Sequence, residues 1–297
     1  MAGMQYGTPV SRTPLEKTVI PMSSIPFALQ RNHLLAALSP AVMDRLRPHL
    51  EIKALAAGEV LYESGDDRHH VYFPVDCIVS LLHDTESGSS AEISMVGNEG
   101  LIGVTSFMGG QCSPWRAVVQ NAGFAYRMPV QKMHEEFGRH GELAELMLLY
   151  TQSRIVQMSQ TAVCNRHHSI EQQVCRWLLQ SLDRLPTSTI RMTQELLGNA
   201  LGVRREGVTV AACKLNSIGA IEYSRGKIEV IDRDQLESLS CECYAVVRKE
   251  TQRLLPPAEE LDRPLSRPTG RVVAFKNPAV GQDSTRRLPA VSGCFVN

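Results

Sequence analysis

The 297-residue sequence contains no apolar run of 18 residues, so neither a membrane-spanning helix nor a membrane partner is expected. Its opening stretch, MAGMQYGTPVSRTPLEKTVIPMSS, lacks the apolar core of a secretory signal, which points to the cytoplasm. Neither charge sign is in excess: 31 Lys and Arg side chains stand against 31 Asp and Glu. That balance argues against a uniformly polybasic nucleic-acid binder but leaves room for one basic face, because DNA feels only the surface it meets. The 8 cysteines include no C-x-x-C pair, and none precedes Cys77. In a chain expected inside the cell they read as reduced, buried, small hydrophobic residues. Cys241-Glu242-Cys243 is too compressed for a usual structural zinc pair, and on one helix the two thiols would point apart by about 200°. His167-His168, just ahead of a helix start, reads as a hinge between domains. No nucleophile–base arrangement, metal-ligand spacing or glycine-rich phosphate loop points to an enzyme, so no catalytic residue and no metal ligand is assigned.

What is present suffices for folded cores, with hydrophobic residues at 43% of the chain. The length suits two packed domains with flanking tails. Residues 1–24 are rich in Pro, Ser and Thr without periodicity and are expected to form a disordered arm. From Asn32 to Leu50 the leucine spacing is helical, with Ser39-Pro40 restarting a helix. Beyond Glu51 the texture turns to short runs, Glu59–Tyr62, His70–Phe73, Cys77–His83, Ala91–Val96, Ala117–Gln120 and Gly123–Met128. Turn clusters such as Ser64-Gly65-Asp66-Asp67 separate them, which predicts an antiparallel, jelly-roll-like β-roll over residues 25–140.

Helical texture returns at Lys132. Within residues 141–164 a stripe of Ala144, Leu148, Thr151, Ile155, Met158 and Ala162 alternates three and four apart, as in a heptad seam. It predicts a dimerisation helix with Leu148, Thr151, Ile155, Met158 and Ala162 at the interface. A second edge, Leu143, Leu146, Leu149 and Tyr150, is expected to meet the roll. Residues 165–253 then read as one DNA-binding domain. Ser169 and Gln172 form a capping box, a hairpin signal lies at Ser224-Arg225-Gly226, and a last helix runs from about Arg233 to Arg253. The remainder, 254–297, is expected to be a disordered tail. The fold class is α+β.

The segment MTQELLGNALGVRREGVTVAACKL (Met192–Leu215) carries the functional argument. Thr193 can cap a first short helix, Gly202 supplies the turn, and a second helix runs from Arg204 to Asn216. That helix buries Val208, Ala211, Ala212 and Leu215, and its opposite side carries Glu206, Thr209 and Cys213, with Arg205 at the margin near the N-terminal end; Arg205, Glu206 and Thr209 are assigned to the bases. Such an end enters the major groove, where Arg pairs with guanine and Glu accepts from cytosine, each contact discriminating by about 1–3 kcal/mol. Thr193, Gln194, Arg204, Lys214, Arg225 and Lys227 are assigned to the phosphate backbone, where they position rather than specify.

The order of roll, long helix and winged helix-turn-helix resembles the Crp/Fnr family of bacterial transcription regulators. The resemblance rests on EGLIG (Glu99–Gly103), LGVRREGVT (Leu201–Thr209) and GAIEYSRGKIEVIDRDQLE (Gly219–Glu237), and spans Asn32 to Arg248. It implies that Arg205 and Glu206 read bases, although Val210 stands where the cyclic-AMP receptor has a further arginine. The family's cyclic-nucleotide members hold ribose with a glutamate and phosphate with an arginine. Here Val104 and Ser113 take those places and Pro114 removes an amide donor, so a buried cyclic phosphate would go uncompensated. Gly103, Val104, Ser113 and Arg116 mark the corresponding effector pocket. The N-terminal iron–sulfur ligands of the oxygen-sensing members are missing. No cofactor is expected; cyclic nucleotide and haem, the latter on His69, His70 or His83, are the open alternatives. The expected function is that of a homodimeric regulator reading a palindromic site on double-stranded DNA, with RNA polymerase as a further candidate partner. The competing reading is an interaction module whose winged helix serves as a protein interface.

Overall fold

The computed structural model describes residues 29–255 except 68, 87, 89 and 111, so the expected arm and nearly all of the expected tail lie outside the described residues. Two short helices come first, α1 (His33–Ala36) and α2 (Pro40–Leu46), with Pro40 in the first turn. Asn32 fastens them to the end of the strand at Pro74 and to the loop at Gly100. Fully buried, it donates to the carbonyls of these two residues, both at 2.9 Å, and caps α1 by accepting from the Leu35 amide. No polar group of this side chain is wasted, which is the condition for burying it.

Among the described residues the roll contains seven strands: β1 (Glu51–Leu55), β2 (Val60–Tyr62), β3 (His70–Pro74), β4 (Ile78–Asp84), β5 (Ser90–Val96), β6 (Arg116–Asn121) and β7 (Gly123–Pro129). They pair antiparallel in two sheets, ordered β1-β7-β3 and β2-β6-β4-β5. Leu55, Tyr72 and Ala125 from one sheet and Tyr62, Val79, Leu81, Val96, Ala117 and Val119 from the other fill the core between them. Strand β1 was not among the predicted runs: EIKAL follows directly on a helical pattern and its central positions are only half-buried.

Helix α3 (Val130–Phe137) leads to the long α4 (Glu142–His167), which overruns the expected 141–164 by one turn. Its buried side is apolar over its first half and turns polar at Ser153, Arg154 and Gln157. Arg154 donates to the Met95 carbonyl at 2.7 Å, and Gln157 accepts from Ser94 Oγ at 2.7 Å. Both contacts fall on β5, the edge strand of its sheet, whose open backbone groups would otherwise invite pairing with another chain. Leu143 and Tyr150 meet the roll as expected, and Leu146 does so in part. Leu149 does not; it is 40% exposed.

The C-terminal part comprises α5 (Ile170–Leu182), β8 (Thr189–Arg191), α6 (Gln194–Leu201), α7 (Arg205–Ser217), β9 (Ile221–Ser224), β10 (Lys227–Val230), α8 (Arg233–Leu239) and α9 (Glu242–Leu254). The predicted last helix is therefore two. Ser240 ends α8 and Cys241 takes an extended conformation, φ −83° and ψ 165°, as the N-cap of α9. The core of this part extends into the roll, since Ile78 and Met95 pack with Trp177, Leu178, Leu197 and Leu201. Among the described residues no helix is long and apolar enough to cross a membrane.

Candidate DNA interface and effector pocket

The helix-turn-helix is built from local chemistry. Thr193 Oγ1 accepts from the Leu196 amide at 3.1 Å, starting α6. Gly202, at φ 66°, closes it in the left-handed region that an L side chain enters only at a cost of about 1 kcal/mol. Helix α7 has Arg204 as its N-cap, without a capping side-chain bond, so its first amides and the positive end of its dipole stay available to an anion. Val208, Ala211, Ala212 and Leu215 are buried as the spacing required, and Arg204, Arg205 and Glu206 are exposed. Val210 is 70% exposed on the same open side. Thr209 is half-buried; its Oγ1 lies 2.7 Å from Gln194 Oε1 and 3.0 Å from the Arg205 carbonyl. The one hydroxyl proton thus ties α7 to α6 or to its own helix, so Thr209 and Gln194 meet each other. Gly207 allows a second close approach, because a Cβ there would overlap Ile170 of α5.

The wing is a three-stranded sheet ordered β8-β10-β9, with β8 an addition that a three-residue segment hardly announces. Ser224 pairs with Lys227 across a two-residue turn, and Arg225 and Gly226 both have positive φ, at 47° and 78°. Two left-handed residues in a two-residue loop give the hairpin that matches strand twist, normally made with Asn-Gly. Here an exposed arginine occupies the strained first position at the wing tip. Lys227 pairs with Glu229 at 2.8 Å, and Lys214 pairs with Glu171 at 2.6 Å.

A cavity of about 140 Å³ opens between the roll and α4. Gly103, Val104, Leu101 and Trp115 line it from the roll, and Thr151, Arg154 and Met158 from α4. Of the four sequence-predicted pocket residues only the first two are there. Ser113 is fully buried, its Oγ accepting from the Trp115 amide. Arg116 points elsewhere, to Asp84 at 3.3 Å and Glu63 at 3.8 Å, because residues adjacent on a strand alternate between faces. The cation at the cavity is Arg154, which is buried and whose Nε and Nη2 find no hydrogen-bond partner among the described residues. Sequence reading missed it by treating that helix only as a dimer seam.

Comparison with known proteins decides the family. Residues 52–140 match the cyclic nucleotide-binding domain and residues 172–239 the Crp-like helix-turn-helix domain. The chain belongs to the Crp/Fnr family of transcription regulators. It is similar to the global nitrogen regulator of Synechococcus elongatus, with 24% identity over 193 residues, 62% of this chain and 86% of that protein. The global nitrogen regulator of Synechocystis is 22% identical over 213 residues, 68% of this chain and 94% of that one. Among solved structures, FixK2 from Bradyrhizobium japonicum shares the fold with a TM-score of 0.57 at 16% identity, covering 65% of this chain and 98% of its own. TTHB099 of Thermus thermophilus, a CRP-family transcriptional regulator, gives 0.53 at 16%, covering 63% and 96%.

In this Crp/Fnr regulator the roll and the DNA-binding part are joined by buried charge. Glu99 of the EGLIG motif lies 2.8 Å from Arg184 at the end of α5 and 3.5 Å from Arg154 at the cavity. Burial alone would push the Glu99 carboxyl up; the Arg184 and Arg154 guanidiniums outweigh it and hold it below the usual carboxylate range. Glu92 of β5 accepts from Ser80 Oγ at 2.5 Å and from Trp177 Nε1 of α5 at 3.2 Å. Its burial dominates, and its pKa is pushed up to about 7. A third junction lies at the hinge, where Cys164, His168, Cys241 and Cys243 converge. The expectation that Cys241 and Cys243 point apart fails, because Cys241 precedes α9 instead of lying within it.

Proposed function

We propose that the regulator acts as a homodimer that reads a two-fold DNA site, with the roll as signal-receiving domain, α4 as dimer helix and the C-terminal part as reader. The observation that carries this reading is the open N-terminal face of α7, where Arg204, Arg205 and Glu206 stand exposed ahead of a buried apolar side. Arg205 and Glu206 are the base readers, with Thr209 behind them. Thr193, Gln194, Arg204, Lys214, Arg225 and Lys227 supply backbone contacts, Lys214 and Lys227 by exchanging a carboxylate partner for phosphate. Dimerisation is supported by Leu148 and Ile155, which are 60% and 58% exposed on α4, beside Thr151, Met158 and Ala162. Large apolar side chains in one exposed row favour a protein partner.

A cavity of about 140 Å³ is small beside the roughly 300–1,000 Å³ of pockets for drug-sized ligands, and the cyclic-nucleotide cassette residues are replaced. The reading is therefore of a regulator that binds DNA without added cyclic nucleotide. Any signal would act by shifting the Glu99–Arg184 and Glu92–Trp177 junctions, since these set how the reader sits on the roll.

Selection of random duplex DNA by the purified full-length protein, without added ligand, tests it. The expected outcome is an enriched palindrome with half-sites about 34 Å apart. Arg205→Ala should then relax the base preference, and Lys227→Ala should weaken binding evenly across sequences. Salt-insensitive binding, or no enrichment at all, would favour the protein-interface reading, because phosphate contacts give a log–log salt slope of about −0.9 each.

A further inference from the structure

The hinge cluster has the composition and the size of a mononuclear metal centre. Cys164 comes from the last turns of α4, His168 is the C-cap of that helix, and Cys241 and Cys243 open α9. All four donor atoms lie within 4.8 Å of one another; Cys164 Sγ and Cys241 Sγ are 3.5 Å apart, as are Cys243 Sγ and His168 Nδ1. The three thiols are buried and the imidazole half-buried, forming a cluster separate from the other cores. Tetrahedral zinc bound at about 2.3 Å sets its sulfurs about 3.8 Å apart, so no donor–donor separation has to change by more than about 1 Å. An iron–sulfur cluster places its thiolates on different irons and spreads them farther than four ligands of one ion.

A second observation points the same way. His168 Nε2 lies 3.3 Å from Glu242 Oε1, so Nε2–H donates to the carboxylate and the Nδ1 lone pair is left facing the thiols. This is the carboxylate–histidine arrangement that orients metal-bound imidazoles. Arg176, buried and with Nε lacking a hydrogen-bond partner among the described residues, is near enough for its charge to act on Cys164. Three thiolates around a divalent ion carry one net negative charge, which this guanidinium offsets.

We propose that Cys164, His168, Cys241 and Cys243 bind one zinc-type divalent ion that staples the end of the dimer helix to the last helix of the reader. His168 and Ser169 are the only residues between α4 and α5, so the ion fixes the hinge itself. The consequence for DNA binding rests on the function proposed above; the metal site does not.

The test uses the full chain, purified reduced and without chelator, its metal measured by mass spectrometry. One zinc per chain is expected. After stripping, anaerobic Co²⁺ titration should give the intense visible spectrum of tetrahedral cobalt thiolate, abolished by Zn²⁺. Cys243→Ser should remove that spectrum. Glu242→Gln, an exposed change that leaves the fold intact, should lower Co²⁺ affinity about 10- to 100-fold, the usual effect of losing such a partner. Cys213→Ser, an exposed thiol outside the cluster, should change nothing. Substoichiometric metal in folded protein, unchanged affinity in Glu242→Gln, a multi-iron chromophore on reconstitution, or a Cys164–Cys241 disulfide in place of metal would each overturn the proposal. If stripping leaves DNA binding unaltered while the metal results hold, only the hinge role falls.

Discussion

Replacing Glu99 by glutamine removes one buried negative charge and leaves two buried positive ones. The side chains of Glu99, Arg184 and Arg154 are 8%, 6% and 4% exposed, so water screens none of them well. Breaking a buried pair by removing one partner costs about 3–5 kcal/mol, because the remaining charge stays desolvated. For a folded unit of this size about 1 kcal/mol moves Tm by 2–4 °C, so Glu99→Gln should lower Tm by about 10 °C. Arg184→Met on the same background should recover part of the loss, since deleting both partners removes the stranded charge. The pH dependence carries a sign. A carboxyl whose pKa is lowered in the fold stabilises above its unfolded pKa and loses that contribution only as pH falls through the folded value. The Tm gap between parent and variant should thus hold from pH 8 to pH 5 and narrow below about pH 4. Thermal unfolding followed by circular dichroism reads both quantities. A gap under about 2 °C at pH 7, below 1 kcal/mol on that scale, would refute the claim that this carboxylate joins roll to reader.

Three further outcomes are expected. Glu92 behaves oppositely to Glu99: its pKa of about 7 lies above the unfolded value, so stability falls by about 1 kcal/mol as pH rises from 6 to 8, and Glu92→Gln should flatten that slope in urea titrations. Ile155→Glu should give a monomer by light scattering with little change in Tm; a persistent dimer would place the interface elsewhere. Arg225→Asn relieves a strained positive φ, so it should raise stability by about 0.5–1 kcal/mol while weakening DNA binding and reducing the salt slope by about 0.9. A loss of both stability and affinity in Arg225→Asn would mean that the arginine is held there by the fold and not for the ligand.

Short-range chemistry was legible in the sequence. Turn clusters around Gly65 separated the strands, Thr193 and Gly202 bounded α6, and Ser169 with Gln172 formed the expected capping box. What stayed hidden arises through space. Glu99 meets Arg184 and Trp177 meets Glu92 across 85 positions each, and nothing in either local pattern names the partner. The hinge cluster stayed hidden because one residue, Cys241, leaves the helical path, and a period of 3.6 cannot show a break that costs it no apolar position.

Helix α4 shows most clearly how pattern reading succeeds in part. Heptad spacing picked out Leu148 and Ile155, and the structure leaves both in solvent, whereas Ser153, Arg154 and Gln157 on the opposite side are buried. An isolated protein gains nothing from a helix turned with leucine outward and guanidinium inward. Each half of the inversion has its own cause. The polar side is held in part by the backbone and side chains of β5 and by Glu99, while Arg154 Nε and Nη2 stay without a partner among the described residues. The apolar side is covered by nothing among the described residues, and its row of side chains borders the cavity that holds Arg154. A partner helix laid on that row would cover the cavity mouth as well. Dimerisation and effector access would then be one structural event, and a substitution such as Ile155→Glu should disturb both together.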